Sequence, residues 1–273
     1  MSKTGYKYID AHAHLNFKEY DNDREAIILE ADEKGIVIVN VGTDLETSKQ
    51  VVALSEKYPN CYAIVGQHPN HDNSTVESGD GSVVDHDGFN YSEFKKLAEN
   101  PRVVAIGECG LDYFREPYSK EKQEQVFREH IKLAIEVGKP LMIHARNSYG
   151  DILKILEEYL SSGNVKLRGN VHFFAGTVDE AQDFLKMGFT LSFTGVITFA
   201  DQYNEVIRMV PEGQILSETD CPFVSPAPFR GQRNSPLNIP VIVDKMAEIR
   251  GVSPDTMASI LKSNAETFFG VTF

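Results

Sequence analysis

The sequence predicts a (β/α)8 barrel spanning residues 1–273 as a single domain. Three observations carry this prediction. Short apolar runs without polar alternation recur eight times, helix-spaced apolar segments separate them, and no Gly/Ser/Pro-rich linker divides the 273 residues. Strands of that kind are buried on both faces, which means a parallel sheet covered by helices. Eight such units in this length fit a closed barrel better than an open doubly wound sheet.

The elements follow in order. A β-branched and aromatic run near the N-terminus ends in Asp10-Ala11-His12-Ala13-His14-Leu15 and forms the first strand. Residues Asp21 to Lys34 place Ile27, Ile28 and Ala31 at helical spacing, and Gly35 stops that helix before the strand Ile36 to Val41. The unit then repeats as helix Leu45 to Tyr58 and strand Tyr62 to Gly66, helix Tyr91 to Glu99 and strand Val103 to Gly107, and helix Ser119 to Val137 and strand Pro140 to Ile143. A helix Gly150 to Leu160 leads to a strand at Gly169 to Phe173. The next helix opens with the capping box Thr177-Val178-Asp179-Glu180. Strand Thr190 to Phe193, a helix around Ala200 to Met209 and strand Gln214 to Ser217 complete the ring, and helices Ile239 to Arg250 and Pro254 to Phe269 follow. One segment breaks the rhythm: from His68 to Tyr91 the chain is rich in Asn, Asp, Ser and Gly, an acidic insertion at about 70–90 that is either a mobile lid or an idle surface loop.

Composition narrows the function. A net charge of −13 argues against a broad basic surface for duplex DNA, because non-specific affinity comes from Lys and Arg displacing phosphate counterions. A phosphate-bearing substrate would have to be held locally. Cys61, Cys109 and Cys221 are odd in number and lack C-x-x-C spacing, which suits reduced thiols. With no signal-like start and no apolar run of about 18 residues, the expectation is a cytoplasmic protein with no membrane association.

The chemistry is expected at the C-terminal ends of the barrel strands, which open onto one face. His12 and His14 stand two apart on a strand, a spacing that aims both rings to one side. The other strand ends supply His68, Glu108, His144, His172 and Asp220. Any one of these could be a satisfied core histidine or a loop cap. Burying so many imidazoles and carboxylates without a cation would cost several kcal/mol each. Four imidazoles and two carboxylates without thiolate suit Zn²⁺, Mn²⁺ or Fe²⁺, with Mg²⁺ workable where waters and phosphate complete the coordination. Six ligands exceed one tetrahedral site, and two divalent metal ions about 3.5–4 Å apart, joined by a bridging carboxylate, would use them all.

Motifs spread over nearly the whole chain carry a family resemblance: Asp10-Ala11-His12-Ala13-His14-Leu15, Gly66-Gln67-His68-Pro69, Gly107-Glu108-Cys109-Gly110-Leu111-Asp112-Tyr113, His144-Ala145-Arg146, His172-Phe173-Phe174-Ala175-Gly176 and Glu218-Thr219-Asp220-Cys221-Pro222-Phe223. In these the sequence resembles the TatD family of metal-dependent deoxyribonucleases, within the amidohydrolase-like barrels. It departs from the family at Ala175, where serine is usual, and in the length of the insertion after His68; neither change removes a proposed ligand. The resemblance implies His12, His14, Glu108 and Asp220 around one metal and Glu108, His144 and His172 around the other, with Glu108 bridging.

The expected activity is metal-dependent hydrolysis of DNA phosphodiesters, as an exonuclease acting on single strands or strand ends. Asp220 is the candidate to orient or deprotonate the attacking water, and Glu108 shares the catalytic assignment. His68 either contacts substrate phosphate, supports a ligand, or is a turn residue before Pro69. Arg146 and Arg230 are candidate phosphate contacts, with Arg233 near them and Asn234 in the same loop, because a guanidinium donates two hydrogen bonds at once. Asp112 is a candidate to hold a loop or a metal ligand in place. No stable protein partner is expected. The alternatives are an ester hydrolase such as a D-aminoacyl-tRNA deacylase on the same barrel and, third, a non-catalytic module that binds nucleic-acid ends.

Overall fold

All eight strand candidates pair in parallel, in sequence order, as β1 (Tyr8–Ala13), β2 (Ile36–Val41), β3 (Cys61–Val65), β4 (Val103–Asp112), β5 (Leu141–Arg146), β6 (Gly169–Val171), β7 (Thr190–Phe193) and β8 (Ile215–Ser217). The computed structural model describes residues 5–70, 89–114, 118–161, 163 and 166–273. The acidic insertion falls on 71–88, outside the described residues apart from its ends. A parallel bridge between Ala13 and Cys221 brings the chain after β8 back onto β1. There Asp220 N–H donates to His12 O at 2.9 Å and His14 N–H to Cys221 O at 2.9 Å, so the ring closes where the first two candidate ligands meet the last.

The helices are α1 (Arg24–Glu33), α2 (Leu45–Lys57), α3 (Tyr91–Ala98), α4 (Lys120–Val137), α5 (Tyr149–Leu160), α6 (Val178–Lys186), α7 (Asn204–Met209), α8 (Ile239–Arg250) and α9 (Pro254–Phe269). The capping box at Thr177 forms as read, with its hydroxyl accepting from Glu180 N–H and Glu180 reaching back to Thr177 N–H. The helix expected from Ala200 is shorter. Thr198 lies in a 3-10 turn whose hydroxyl accepts from Ala227 N–H at 2.8 Å, so tertiary bonding holds this stretch and regular helix begins only at Asn204. Among the described residues no helix is long and apolar enough to cross a membrane.

The apolar core splits as strand alternation requires. Ile36 and Ile38 pack with Ile27, Ile28 and Val51 of the flanking helices. Their neighbours Val37, Val39 and Val41 pack instead with Ile9, Ile64, Val104, Met142 and Leu216 of other strands, filling the ring, and Phe268 and Phe269 of α9 join them. All three cysteines are buried and free, as expected, and burial pushes the Cys61 thiol up to about 12, which keeps it protonated and inert.

His130 of α4, to which the sequence assigns no role, sets the approach to the site. Its Nδ1–H donates to Val126 O at 2.8 Å, and its Nε2 accepts from the N–H of Gln67, next to His68, at 2.9 Å. The Nε2 bond needs the neutral ring, and burial, against the Val126 bond, lowers its pKa from 6.5 to about 4. The unfolded chain therefore takes this proton first. Stability from His130 is complete above pH 6.5 and is lost as pH falls toward 4, by about 3 kcal/mol in all. Urea unfolding of wild type and His130→Gln at pH 7.5 and 4 checks this: the stability gap between them should narrow by that amount, and a gap independent of pH would exclude the role.

Candidate metal centre

Glu108 lies inside β4 rather than past its end, because β4 runs on to Asp112 beside β5 through pairs Gly110–His144, Leu111–Ala145 and Asp112–Arg146. The register slips between Ile106 and Cys109, and the bulge turns the Glu108 side chain into the cluster. Glycine is required on both sides. A Cβ on Gly107 would lie 2.5 Å from Met142 O, and one on Gly110 would lie 2.1 Å from His144 O, each at a positive φ.

The six predicted ligands come together around this carboxylate. Glu108 Oε2 faces His12 Nε2 at 3.4 Å and His14 Nε2 at 3.7 Å. Its other oxygen, Oε1, faces His172 Nε2 at 2.7 Å and His144 Nδ1 at 2.9 Å. Asp220 stands with the first group, its Oδ1 3.5 Å from His14 Nε2 and 3.9 Å from His12 Nε2. The two oxygens of one buried carboxylate thus address two separate sets of imidazoles.

Neighbouring groups aim these rings. His14 Nδ1–H donates to Val41 O at 3.0 Å, which leaves its Nε2 lone pair for the cluster. His144 Nε2–H donates to Asp112 Oδ2 at 3.2 Å, which leaves Nδ1 free in the same way. Asp112 also accepts from Asn70 Nδ2 at 2.7 Å and Phe114 N–H at 2.9 Å, so it holds both the His68 loop and a ligand. Two buried acids were missed by the sequence reading. Glu218 accepts from Phe173 N–H at 2.5 Å and Ser192 Oγ at 2.7 Å, fixing the turn after His172, where Phe173 sits at φ 45°. Asp10 accepts from Thr219 N–H at 2.8 Å and Thr219 Oγ at 2.5 Å, pinning β1 to the chain after β8. Nothing in their spacing separates them from ordinary polar residues; the signal is only that both lie inside motifs flanking ligands.

The electrostatics call for cations. Burial alone would raise the Glu108 pKa, but His172, His68 and His12 together hold it well below the usual carboxylate range. Burial would lower His172 and His144, yet Glu108 with Glu218 lifts the first well above the ordinary imidazole value, and Asp112 with Glu108 lifts the second. His14 is likewise raised against its burial by Asp220 and Glu108, while His12 is lowered by burial and by its neighbour His172.

The donor set fits metal. His12 Nε2 and His14 Nε2 face each other at 3.1 Å with carboxylate oxygens beyond them, and lone pairs so converged repel unless a cation lies among them. Among the described residues three groups of ligand atoms converge: His12, His14 and Asp220; His12, His172 and Glu218; and His68, Glu108 and His144. Imidazole and carboxylate without thiolate suit divalent ions of borderline or harder character.

The remaining predicted residues divide. His68 joins the cluster, with Nε2 3.3 Å from His144 Nδ1 and 3.5 Å from Glu108 Oε1. Its Nδ1 accepts from Asn70 N–H at 3.1 Å, so the neutral ring carries its proton on Nε2 and acts there as a donor. A cavity of about 680 Å³ opens over the centre, lined by His14, Phe17, His68, Arg146, Asp220 and Phe223 among others. Arg230 stands outside that lining with its guanidinium 3.8 Å from the Phe199 ring. Arg233 forms an ion pair with Asp23 at 2.5 Å and lies over Tyr20, which marks it as structural. Asn234 is buried and donates to Thr219 O at 2.9 Å and Phe223 O at 2.7 Å, so it holds the loop rather than substrate.

Residues 9–270 match the family described as TatD related DNase. A Bacillus subtilis (strain 168) protein named "Uncharacterized metal-dependent hydrolase YabD" is 38% identical over 265 residues, 96% of this chain and 98% of that protein. The Citrobacter rodentium (strain ICC168) "3'-5' ssDNA/RNA exonuclease TatD" is 32% identical over 273 residues, covering 96% and 98%. Among solved structures, the TatD homolog YJJV from Escherichia coli K12 superposes with a TM-score of 0.85 at 28% identity, over 97% of this chain and 98% of that one.

Proposed function

This chain belongs to the TatD-related DNase family of metal-dependent hydrolases, and from that premise we propose that it cleaves phosphodiester bonds of DNA, acting on single strands or strand ends with two divalent cations. One observation carries the reading: Glu108 directs Oε2 at His12 and His14 and Oε1 at His144 and His172, the division a carboxylate shared by two ions needs. His12, His14, Glu108 and Asp220 would hold one ion, and Glu108, His144 and His172 the other.

Bound there, Mg²⁺, Mn²⁺ or Zn²⁺ supplies Lewis-acid polarisation of the phosphate and lowers the pKa of a water toward ~7. The chain's own groups do the rest. Asp220, at the cavity wall, accepts the proton of the attacking water. His68 donates from Nε2 to a non-bridging phosphate oxygen, and Arg146, on the cavity rim, adds a forked donor. Asp112 and Glu218 keep His144 and His172 aimed as the substrate's charge builds. A pocket of about 680 Å³ admits a strand end, while the acidic balance of −13 disfavours a duplex laid across the surface. The relative named an exonuclease on single-stranded DNA and RNA supports the same substrate class.

The test is to incubate the protein with Mg²⁺ or Mn²⁺ and end-labelled single-stranded DNA, and separately with D-aminoacyl-tRNA. Progressive shortening of the DNA, abolished by EDTA, is the expected result. Deacylation of the tRNA with no shortening of the DNA would replace this function with ester hydrolysis.

A further inference from the structure

Apolar side chains scattered singly over a surface need no explanation, but a set confined to one face does. Among the described residues the exposed large apolar side chains are Leu29, Phe114, Tyr118, Phe199 and Phe223. The four aromatic ones all lie in loops that follow β4, β7 and β8, on the face where the metal centre opens. Phe114 and Phe199 are 55% and 45% exposed, more than any packing role needs.

Each of these two rings carries an arginine. The Arg146 guanidinium lies 3.6 Å from the Phe114 ring centroid, and that of Arg230 lies 3.8 Å from Phe199. Among the described residues Arg24, Arg128 and Arg233 each pair with a carboxylate; Arg102 and Arg250 instead donate to backbone carbonyls, while Arg146 and Arg230 pair with neither a carboxylate nor a carbonyl and lie against aromatic rings. In a chain with 40 acidic and 27 basic residues, two unneutralised guanidinium groups on the substrate face, each backed by an aromatic ring, require a reason. A flat Arg–aromatic stack presents a planar face to a base and N–H edges to a phosphate.

The pairs occupy separate arcs of the rim. Phe114 follows β4 and Arg146 ends β5, while Phe199 follows β7 and Arg230 follows β8, so in an eight-strand ring Phe114 and Arg230 are half a turn apart. Between the arcs a second cavity of about 700 Å³, lined by Tyr113, Tyr149, Thr177 and Gln202 among others, adjoins the first and shares Ala175 and Tyr203 with it. The two cavities therefore adjoin on this face, with Arg146 lining the first and Phe114, Phe199 and Arg230 standing outside both.

We propose that Phe114 with Arg146 and Phe199 with Arg230 are two nucleotide-holding posts that grip a single strand across the mouth of the metal cavity, each stacking an unpaired base and bonding a backbone phosphate. The proposal rests on the nuclease reading and deepens it: the posts require exposed base faces, which a duplex hides within its own stack.

The test compares two substrates with Mn²⁺ present. One is a single strand of about twelve nucleotides, within the usual span of strand-binding grooves. The other is bis(p-nitrophenyl) phosphate, a small diester whose phosphate can meet Arg146 at the cavity rim but which is too short to engage the Phe114 and Phe199 rings outside it. Phe114→Ala and Phe199→Ala should each raise KM for the strand by about tenfold with kcat within about twofold, and leave small-diester turnover at the wild-type level. Phe114→Tyr and Phe199→Tyr, which keep a stacking ring, should behave as wild type. Unchanged KM for the strand in both alanine variants would overturn the posts while leaving the nuclease intact. Equal losses on both substrates would also overturn them, by showing that the rings shape the cavity. A wild-type protein that turns over the small diester but neither cuts the strand nor binds its phosphorothioate analogue, read by fluorescence anisotropy, would remove the nuclease reading and the posts together.

Discussion

Glu108→Ala is expected to lower diester hydrolysis by about 10³-fold or more, the equivalent of about 4 kcal/mol of lost transition-state stabilisation, and to reduce bound metal at both halves of the centre. The cause is the division of labour within one side chain. Oε2 serves the His12 and His14 side, and Oε1 the His144 and His172 side. Alanine removes both contacts and leaves the two sets of neutral imidazoles with no shared anion to balance the charge of the ions they would hold. His12→Ala is the control, because it strips only the half shared with Asp220. Metal analysis after dialysis separates the cases: both ions depleted in Glu108→Ala, chiefly one in His12→Ala. Full retention of two ions by Glu108→Ala would break the bridging assignment.

Asp220→Asn is the second large effect, and it should appear in turnover rather than in structure. Asp220 adopts φ 52°, a left-handed conformation that asparagine accepts and alanine does not readily accept. Asparagine therefore preserves the Asp220 N–H to His12 O bond and the local chain path. What it loses is the carboxylate's charge toward the ion it would share with His12 and His14, which metal analysis reads, and an oxygen able to take a proton from water, which turnover at saturating metal reads. A general base of this kind is worth about 10²–10⁴ in rate, so kcat should fall by that factor with KM for a single strand nearly unchanged. A variant that keeps wild-type kcat would exclude Asp220 as the base.

Much of this architecture was legible beforehand, for identifiable reasons. Strand period two made His12 and His14 a pair before any partner was known, and barrel topology told which other residues had to converge with them. The structure brings all six to one place. Glu108 was legible as a residue but not in its setting, because a bulge inside β4 depends on β5 running alongside to Arg146, a tertiary fact. Asp10 and Glu218 escaped for the same reason: their partners, Thr219 for the first and Ser192 and Phe173 for the second, reveal themselves only when strands meet. Arg230 and Arg233 are three residues apart in one loop and indistinguishable by composition. Only the position of Asp23 on another element makes Arg233 structural, while Arg230 lies against Phe199 with no acidic partner among the described residues.

The latch between Asp10 and Thr219 has a consequence for how the protein is made. It joins residues 209 apart, and the same seam places Asp220 against His12. During synthesis His12 of β1 and His14 just after it emerge before Glu108 of β4, and Asp220 follows only after β8. A cation captured early by the histidine pair alone would be held weakly, so lasting uptake waits for the ends of the ring to meet. Closing so long a loop is slow relative to local helix formation. Full metal loading is thus expected to accompany closure of the ring, and a nascent chain cut short of residue 220 lacks the Asp220 side of the candidate centre.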